Sequence, residues 1–419
     1  MFLLVFLCEI IFGCSGKWMP NIMFFLTKPN YQPPFTFSEC TNISCANEMG
    51  KLFFIIPGSF LPEKFGIAEG LFITTSLMMV GELSSAEFRG IFSSLLNVAY
   101  IIGELFECII NAIFESYDIL TYSTMILSFC CLPALYWCIE SPYFLLRKEK
   151  YEKARDVLGI IQPNYSEQEF NRQFEILKQS SCADKIQKNE YSFFGLLQLK
   201  SVRNPLLCVI IINMCYVGLG SAVINLYLTI LPSNNYVSSS TYPLFSCIII
   251  LILSTNSILL VSKFSRRSLF IFCGFLSFFT HSNNAITCYL YHNAFEGMEF
   301  WKWSFIAGNF FALTISRTVL SFITDAIKAE LLPYNVKGIG NGICIVFKAT
   351  ATVILFKIYE VCQQYSCLYV VFVIFAVNSV ILILFVYLSL PETRDKSLVE
   401  VQDHFKQTDK EYNSEKINY

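Results

Sequence analysis

Long apolar runs alternate with short polar joints along most of this chain. The runs lie at 2–16, 66–82, 91–113, 119–139, 206–231, 243–262, 268–290, 303–325, 338–358 and 368–390. A helix crosses a hydrocarbon core about 30 Å thick in about 20 residues, so the pattern predicts about ten membrane-crossing helices. One further segment, 52–61 "LFFIIPGSFL", is apolar but too short to cross alone. No basic residue precedes the first run, which predicts a first membrane helix rather than a cleaved leader. The fold class that follows is an all-α polytopic membrane protein.

Composition agrees: 54% of 419 residues are hydrophobic and only 15% charged, too little polar surface for a soluble domain of this length. The lipid bilayer is therefore the first partner. The seventeen cysteines include no CxxC pair and fall mostly inside apolar runs, as buried inert thiols do. Only Cys40/Cys45 and Cys362/Cys367 lie where an outside bridge is conceivable. His281, His292 and His404 are scattered, so no metal site is expected. No cofactor, nucleic-acid partner, ATP-binding motif or soluble catalytic domain is indicated, and the chain does not read as an enzyme.

The loop charges orient the helices. Loop 141–204 is rich in Lys and Arg; 232–242 has none; Lys263, Arg266 and Arg267 follow; 291–302 has only Lys302; Lys328 and Lys337 flank the next turn; 359–367 has none. The tail then carries Arg394, Lys396, Lys406, Lys410 and Lys416. This alternation predicts that loop 141–204 and the C-terminus are cytoplasmic. The sequon at Asn42 falls outside and is a glycosylation candidate, whereas the one at Asn164 falls inside.

Two strings on the predicted inner face repeat each other, "GELSSAEFRG" at 81–90 and "AELLPYNVKG" at 329–338. In each, Glu precedes a basic residue by seven positions and Gly follows: Glu82/Arg89/Gly90 and Glu330/Lys337/Gly338. Each half later closes on an acidic, Pro-containing junction, Glu140-Ser141-Pro142 and Pro391-Glu392-Thr393. Two parallel halves joined by a long cytoplasmic loop mark the major facilitator architecture, whose substrate site lies between the halves near mid-membrane. The expected divisions are a shortened N-terminal half 1–140, a loop with short helices 141–204, a six-helix C-terminal half 205–390 and a tail 391–419. Ion pairs among Glu82, Arg89, Glu140, Arg266, Arg267, Glu330 and Lys337 would form an inner-face gate. Alternatively these residues only obey the positive-inside rule.

The strings also resemble those of a known family. "ESPYFLLRKEKYEKARDVL" is similar to the sugar-porter junction PESPRWLL…G-x-x-E-x-A-x-x-VL, and "LPETRDKSLVEVQDHF" to the porters' closing VPETKGKSLEEIE. "FFGLLQLKSVRNPLL" resembles the loop entering their seventh helix, and "SKFSRRSLF" their D-x-x-GRR turn. Loop length and style look most like the insect facilitated trehalose transporters. Organic-ion porters share the ESP junction and the ELxPxxVR string, but usually have a Pro soon after their PET motif's Leu, where this chain has "SLVEV". Ahead of residue 66 the porters have three helices, and 17–65 is too short for two complete extra spans. By this comparison the chain lacks most of helices two and three.

Carried over by motif, the porters' fifth-helix Gln falls at Asn97. Their seventh-helix QQ-x-x-G falls at Tyr216-Val217…Gly220, the tenth-helix Trp at Asp325 and the eleventh-helix Asn at Lys348. Tyr227 lies on the helix that lines the family's cavity. Losing both glutamines removes much of the usual basis for sugar specificity. Arg317, Asp325, Lys348, Glu104 and Glu107 all fall on predicted spans. A charge there costs at least about 2.5–3.5 kcal/mol unpaired, so partners or water-filled access are expected. Lys348 then either contacts a polar or anionic cargo or pairs structurally with Asp325. The resemblance implies facilitated diffusion of a small polar solute, a sugar such as trehalose or a hexose, across the plasma membrane by alternating access. An organic-ion porter and a non-transporting paralogue are the alternatives. Oligomeric state is not legible.

Overall fold

The computed structural model describes residues 2–26, 35–65, 89–136, 142–161, 166–190, 200–227, 241–293, 298–332 and 337–392. The described residues form helices and no strands. In the first half these are α1 (Phe2–Leu26), α2 (Phe37–Phe65), α3 (Arg89–Phe114) and α4 (Tyr117–Tyr136). The connecting region holds α5 (Pro142–Arg147), α6 (Tyr151–Ile161) and α7 (Glu167–Glu190). The second half holds α8 (Lys200–Gly218), α9 (Ser221–Tyr227), α10 (Thr241–Lys263), α11 (Arg266–His292) and α12 (Met298–Ile315). A π-helical turn, Ser316–Leu320, joins α12 to α13 (Ser321–Leu331), before α14 (Lys337–Gln364) and α15 (Leu368–Ser389).

Six helices among the described residues are long and apolar enough to cross a membrane. In lipid a backbone must satisfy its own hydrogen bonds, so the apolar runs of the sequence become helices. Three segments differ in kind from the prediction. The first run continues through Lys17 and Pro20 to Leu26, because the tertiary structure supplies Lys17 with a partner. The short segment 52–61 is the second part of the 29-residue helix α2. The run 206–231 breaks at Leu219-Gly220, where Gly220 has φ +74°, a left-handed conformation that glycine adopts without a Cβ penalty. The predicted span 66–82 lies outside the described residues.

Local signals start several helices. Thr36 and Glu39 form a reciprocal capping box at α2: the Thr36 amide donates to Glu39 Oε2 at 2.8 Å, and the Glu39 amide to Thr36 Oγ1 at 3.3 Å. Ser166 and Glu169 repeat the device at α7. Ser265 caps α11 by accepting from the Ser268 amide. In the connecting region, Leu145, Leu146 and Ala154 are buried against Val157, Phe174 and Leu177. The short helices expected within 141–204 are α5, α6 and the 24-residue α7.

The main core draws on both halves: Met19, Ile22 and Met23 of α1 belong to one buried cluster with Leu313, Ile323 and Phe375. Helices α1 and α3 approach closely. A Cβ on Gly103 would lie 1.8 Å from the Ile10 carbonyl oxygen, and one on Gly13 1.9 Å from that of Tyr100. Small residues permit such contact where lipid gives no hydrophobic drive between helices. α2 packs along α14, and α3 along α10, so both pairs bridge the halves.

Candidate functional site: a polar seam between the halves

α3 carries Asn97, Tyr100, Glu104, Glu107 and Asn111 at spacings of three, four, three and four. Such spacing puts all five on one face of a helix. Part of that face meets the second half. Glu104 Oε2 lies 2.5 Å from Nη2 of Arg317, and the Arg317 guanidinium stands over the Tyr100 ring, 5.5 Å from its centroid. Asn97 Nδ2 donates to Asp325 Oδ2 at 3.3 Å. Two α3 residues thus pair with two residues of the helix running 298–331, in antiparallel order.

Arg317 is carried on the π-helical turn, which adds a residue to one turn and re-aims the side chains after it. Its side chain is 16% exposed and that of Glu104 2%, so this is a paired charge inside the bundle. Asp325 forms its ion pair with Lys328, one turn further along. Lys348 on α14 stands over the Tyr216 ring at 5.6 Å and lies within electrostatic reach of Asp325. It is exposed rather than buried. Lys17 completes the seam: it is 1% exposed, and its Nζ donates to Asn225 Oδ1 of α9 at 2.5 Å.

Tyr216 is buried on α8 beneath Lys348. Gly220 faces α15: a Cβ there would lie 2.2 Å from the Phe375 ring, so its role in the structure is to let the chain break and pack. Tyr227 ends α9, and its side chain lies outside the described residues. Glu82 and Glu140 also lie outside them, as do the side chains of Arg89 and Lys337, which begin α3 and α14. Glu330 meets Arg266 at 3.4 Å, and Glu392 accepts from the amides of Arg266 at 3.1 Å and Arg267 at 3.4 Å. Arg267 donates to the Tyr387 carbonyl and stands over its ring. These contacts all lie within the second half and the start of the tail. Among the described cysteines there is no disulfide: Cys40, Cys45, Cys362 and Cys367 are free thiols.

At the far end of α14, about 35 Å from Lys337 along the axis, the halves meet again. Ser38 Oγ donates to Glu360 Oε1 at 2.5 Å, and Lys357 donates to Asn42 Oδ1 at 2.6 Å and to Glu360 Oε2 at 2.7 Å. Asn42 is exposed on α2. A separate cavity of about 440 Å³ lies beside α4, lined by Trp18, Thr121, Thr124, Met125, Ser128 and Phe129. Thr124 also donates to Glu107 Oε1.

Residues 63–405 match the family model for "Sugar (and other) transporter". The chain belongs to this family of transporters. The glucose transporter GlcP of Staphylococcus epidermidis is 22% identical over 348 residues, which cover 80% of this chain and 74% of that protein. The human facilitated glucose transporter member 3 is 25% identical over 198 residues, covering 46% and 39%. Among solved structures, the major facilitator proton:xylose symporter XylE bound to 6-bromo-6-deoxy-D-glucose superposes with a TM-score of 0.76 at 17% identity. That match covers 96% of this chain and 98% of the other. The partially occluded inward-open XylE from E. coli gives 0.72 at 16% identity, covering 95% and 98%. The major facilitator fold is therefore that of this transporter.

Sequence reasoning passed over Lys17, Tyr100, Ser38 and the Lys357–Glu360 pair. A lysine interrupting an apolar run was the available signal for Lys17, and the three-and-four spacing along α3 for Tyr100. Ser38 and Glu360 are 322 residues apart in sequence, and nothing local links them.

Proposed function

We propose that this protein carries a small polar solute, a sugar of the trehalose or hexose class, down its gradient by alternating access of its two halves. The supporting observation is the seam: Asn97 with Asp325, and Glu104 with Arg317, are polar pairs inside the bundle where the two halves meet. Hydrogen-bonding groups at that place can exchange their mutual contacts for those of a hydroxylated solute. Exchange of buried partners, rather than loss of them, keeps the cost of entry low. Asn97, Tyr216, Asp325 and Lys348 are the residues assigned to the cargo, with Gly220 and Tyr227 shaping the α8–α9 side. Trehalose is the first candidate because the loop length and style look most like those of the insect facilitated trehalose transporters.

The loop charges support a cytoplasmic loop 141–204 and C-terminus; the plasma membrane is what the resemblance to the porters implies. On that orientation the cluster of Arg266, Arg267, Glu330 and Glu392 forms the second half's share of an inner gate. The short length of 17–65 supports a first half lacking part of the porters' early helices. The buried Glu104–Arg317 pair favours a second reading, an organic ion as cargo, since an ionic solute could compete for either partner.

The test is uptake of labelled trehalose and glucose by cells expressing the chain, normalised to its surface amount. Saturable uptake, reduced by Asn97→Ala, is the expected result. Ion uptake without sugar uptake would transfer the assignment to the second reading.

A further inference from the structure

Two cysteines from different halves meet inside the bundle. Cys108 sits on α3 and Cys247 on α10; their sulfurs are 3.6 Å apart, and both residues are buried. Lys17 and Glu104 lie within electrostatic reach of both thiols, and Arg317 of Cys247. A disulfide has an S–S distance of about 2.05 Å, so the sulfurs need to close by about 1.5 Å. Cys40 and Cys45 share one helix, and Cys362 and Cys367 share one half, so neither of those pairs can link the halves.

We infer that Cys108 and Cys247 are an oxidation site for peroxide-class oxidants, and that their disulfide ties the two halves together. The overall step turns two thiols and one hydrogen peroxide into one disulfide and two waters. One sulfur attacks a peroxide oxygen; the O–O bond breaks, giving a sulfenic acid and the first water. The second sulfur displaces the hydroxyl from the sulfenic sulfur, forming the S–S bond and the second water. The sulfurs lose two electrons, the peroxide gains two, and both thiol protons leave in the waters. A thiolate is the attacking species, with the Lys17 ammonium as the countercharge and the Glu104 carboxylate as the opposing charge within electrostatic reach. Peroxide is neutral and close to water in size, so it can enter the polar seam when the halves part.

The consequence for transport rests on the alternating-access reading. α3 and α10 must separate or slide for the halves to rock, and a covalent link between them holds one arrangement. Reduction by a thiol would release it.

The test uses membranes containing the full chain, exposed to hydrogen peroxide, blocked with N-ethylmaleimide, and digested for peptide mapping without reduction. The expected product is a Cys108–Cys247 linked peptide that dithiothreitol removes and that is missing from Cys108→Ser and Cys247→Ser. Finding both thiols alkylated after other cysteines have oxidised, or Cys108 joined to a third cysteine, would overturn the site. This map needs no cargo, so it stands apart from the sugar assignment. Where sugar uptake is measurable, it should fall in proportion to the linked fraction, recover on reduction, and resist peroxide in Cys247→Ser. Full uptake by a fully linked protein would overturn the tie.

Discussion

Arg317 of the second half and Glu104 of the first form a 2.5 Å ion pair in the interior of the helical bundle, with the Tyr100 ring beneath the guanidinium. Each charge is tolerated there because the other is present. Breaking a buried pair by removing one partner typically costs about 3–5 kcal/mol, whereas replacing both by apolar groups is often neutral. Arg317→Met and Glu104→Leu should therefore each lower the thermal stability of the solubilised protein more than the double substitution does. Fluorescence-detected size exclusion after heating measures it, and additive losses in the double variant would contradict pairing.

Asn97 donates to Asp325, and under the proposed function both also contact the cargo. Replacing Asn97 by Ala removes a donor to a charged acceptor, an interaction worth about 1.5–3 kcal/mol, on the order of ten- to hundredfold in kcat/KM. Concentration-dependent uptake should show that loss at an unchanged surface amount. A similar loss is expected for Asp325→Asn.

Gly220 is held at φ +74° with the Phe375 ring where a Cβ would be. Gly220→Ala adds backbone strain of about 1–3 kcal/mol together with a clash. Reducing Phe375 to Leu should relieve the clash but not the strain. The order of melting temperatures expected is wild type, then the double variant, then Gly220→Ala.

Glu360 gathers Ser38 and Lys357 at the end of the bundle away from Arg266, and Lys357 reaches Asn42. Glu360→Ala removes the acceptor for both donors. It should increase labelling of a cysteine introduced at position 97 by a membrane-impermeant reagent applied from that side. Glu330→Gln combined with Glu392→Gln should increase labelling from the other side, since it frees the start of α11. Unchanged labelling in both variants would show that these clusters do not control access.

Asn42 offers a check on orientation. Its Oδ1 accepts from Lys357 while the residue remains exposed, so an N-linked glycan and that contact are compatible. A glycosidase-sensitive shift lost in Asn42→Gln is expected. Modification at Asn164 instead would reverse the predicted orientation.

Most of the described helices were legible because lipid forces each long apolar run to satisfy its own backbone, a constraint that acts locally. The family was legible in junction strings such as 140–158 and 390–405, whose residues lie close together in the chain. Helix α2 was not, because its first half, "FSECTNISCANEMGKL", is polar enough to read as a loop. It is helical where Thr36 and Glu39 cap it and where it lies along α14. Lys17 ended the first predicted run for the same reason, since its partner Asn225 is 208 residues away. The sequence alone determined that Arg317, Asp325, Lys348 and Glu104 would be charges needing partners. Which partner each took depended on how the helices rotate and cross: Arg317 turned to Glu104, Asp325 to Lys328 and Asn97, and Lys348 to the Tyr216 ring. Helical periodicity fixes which residues share a face, but only packing decides which faces meet.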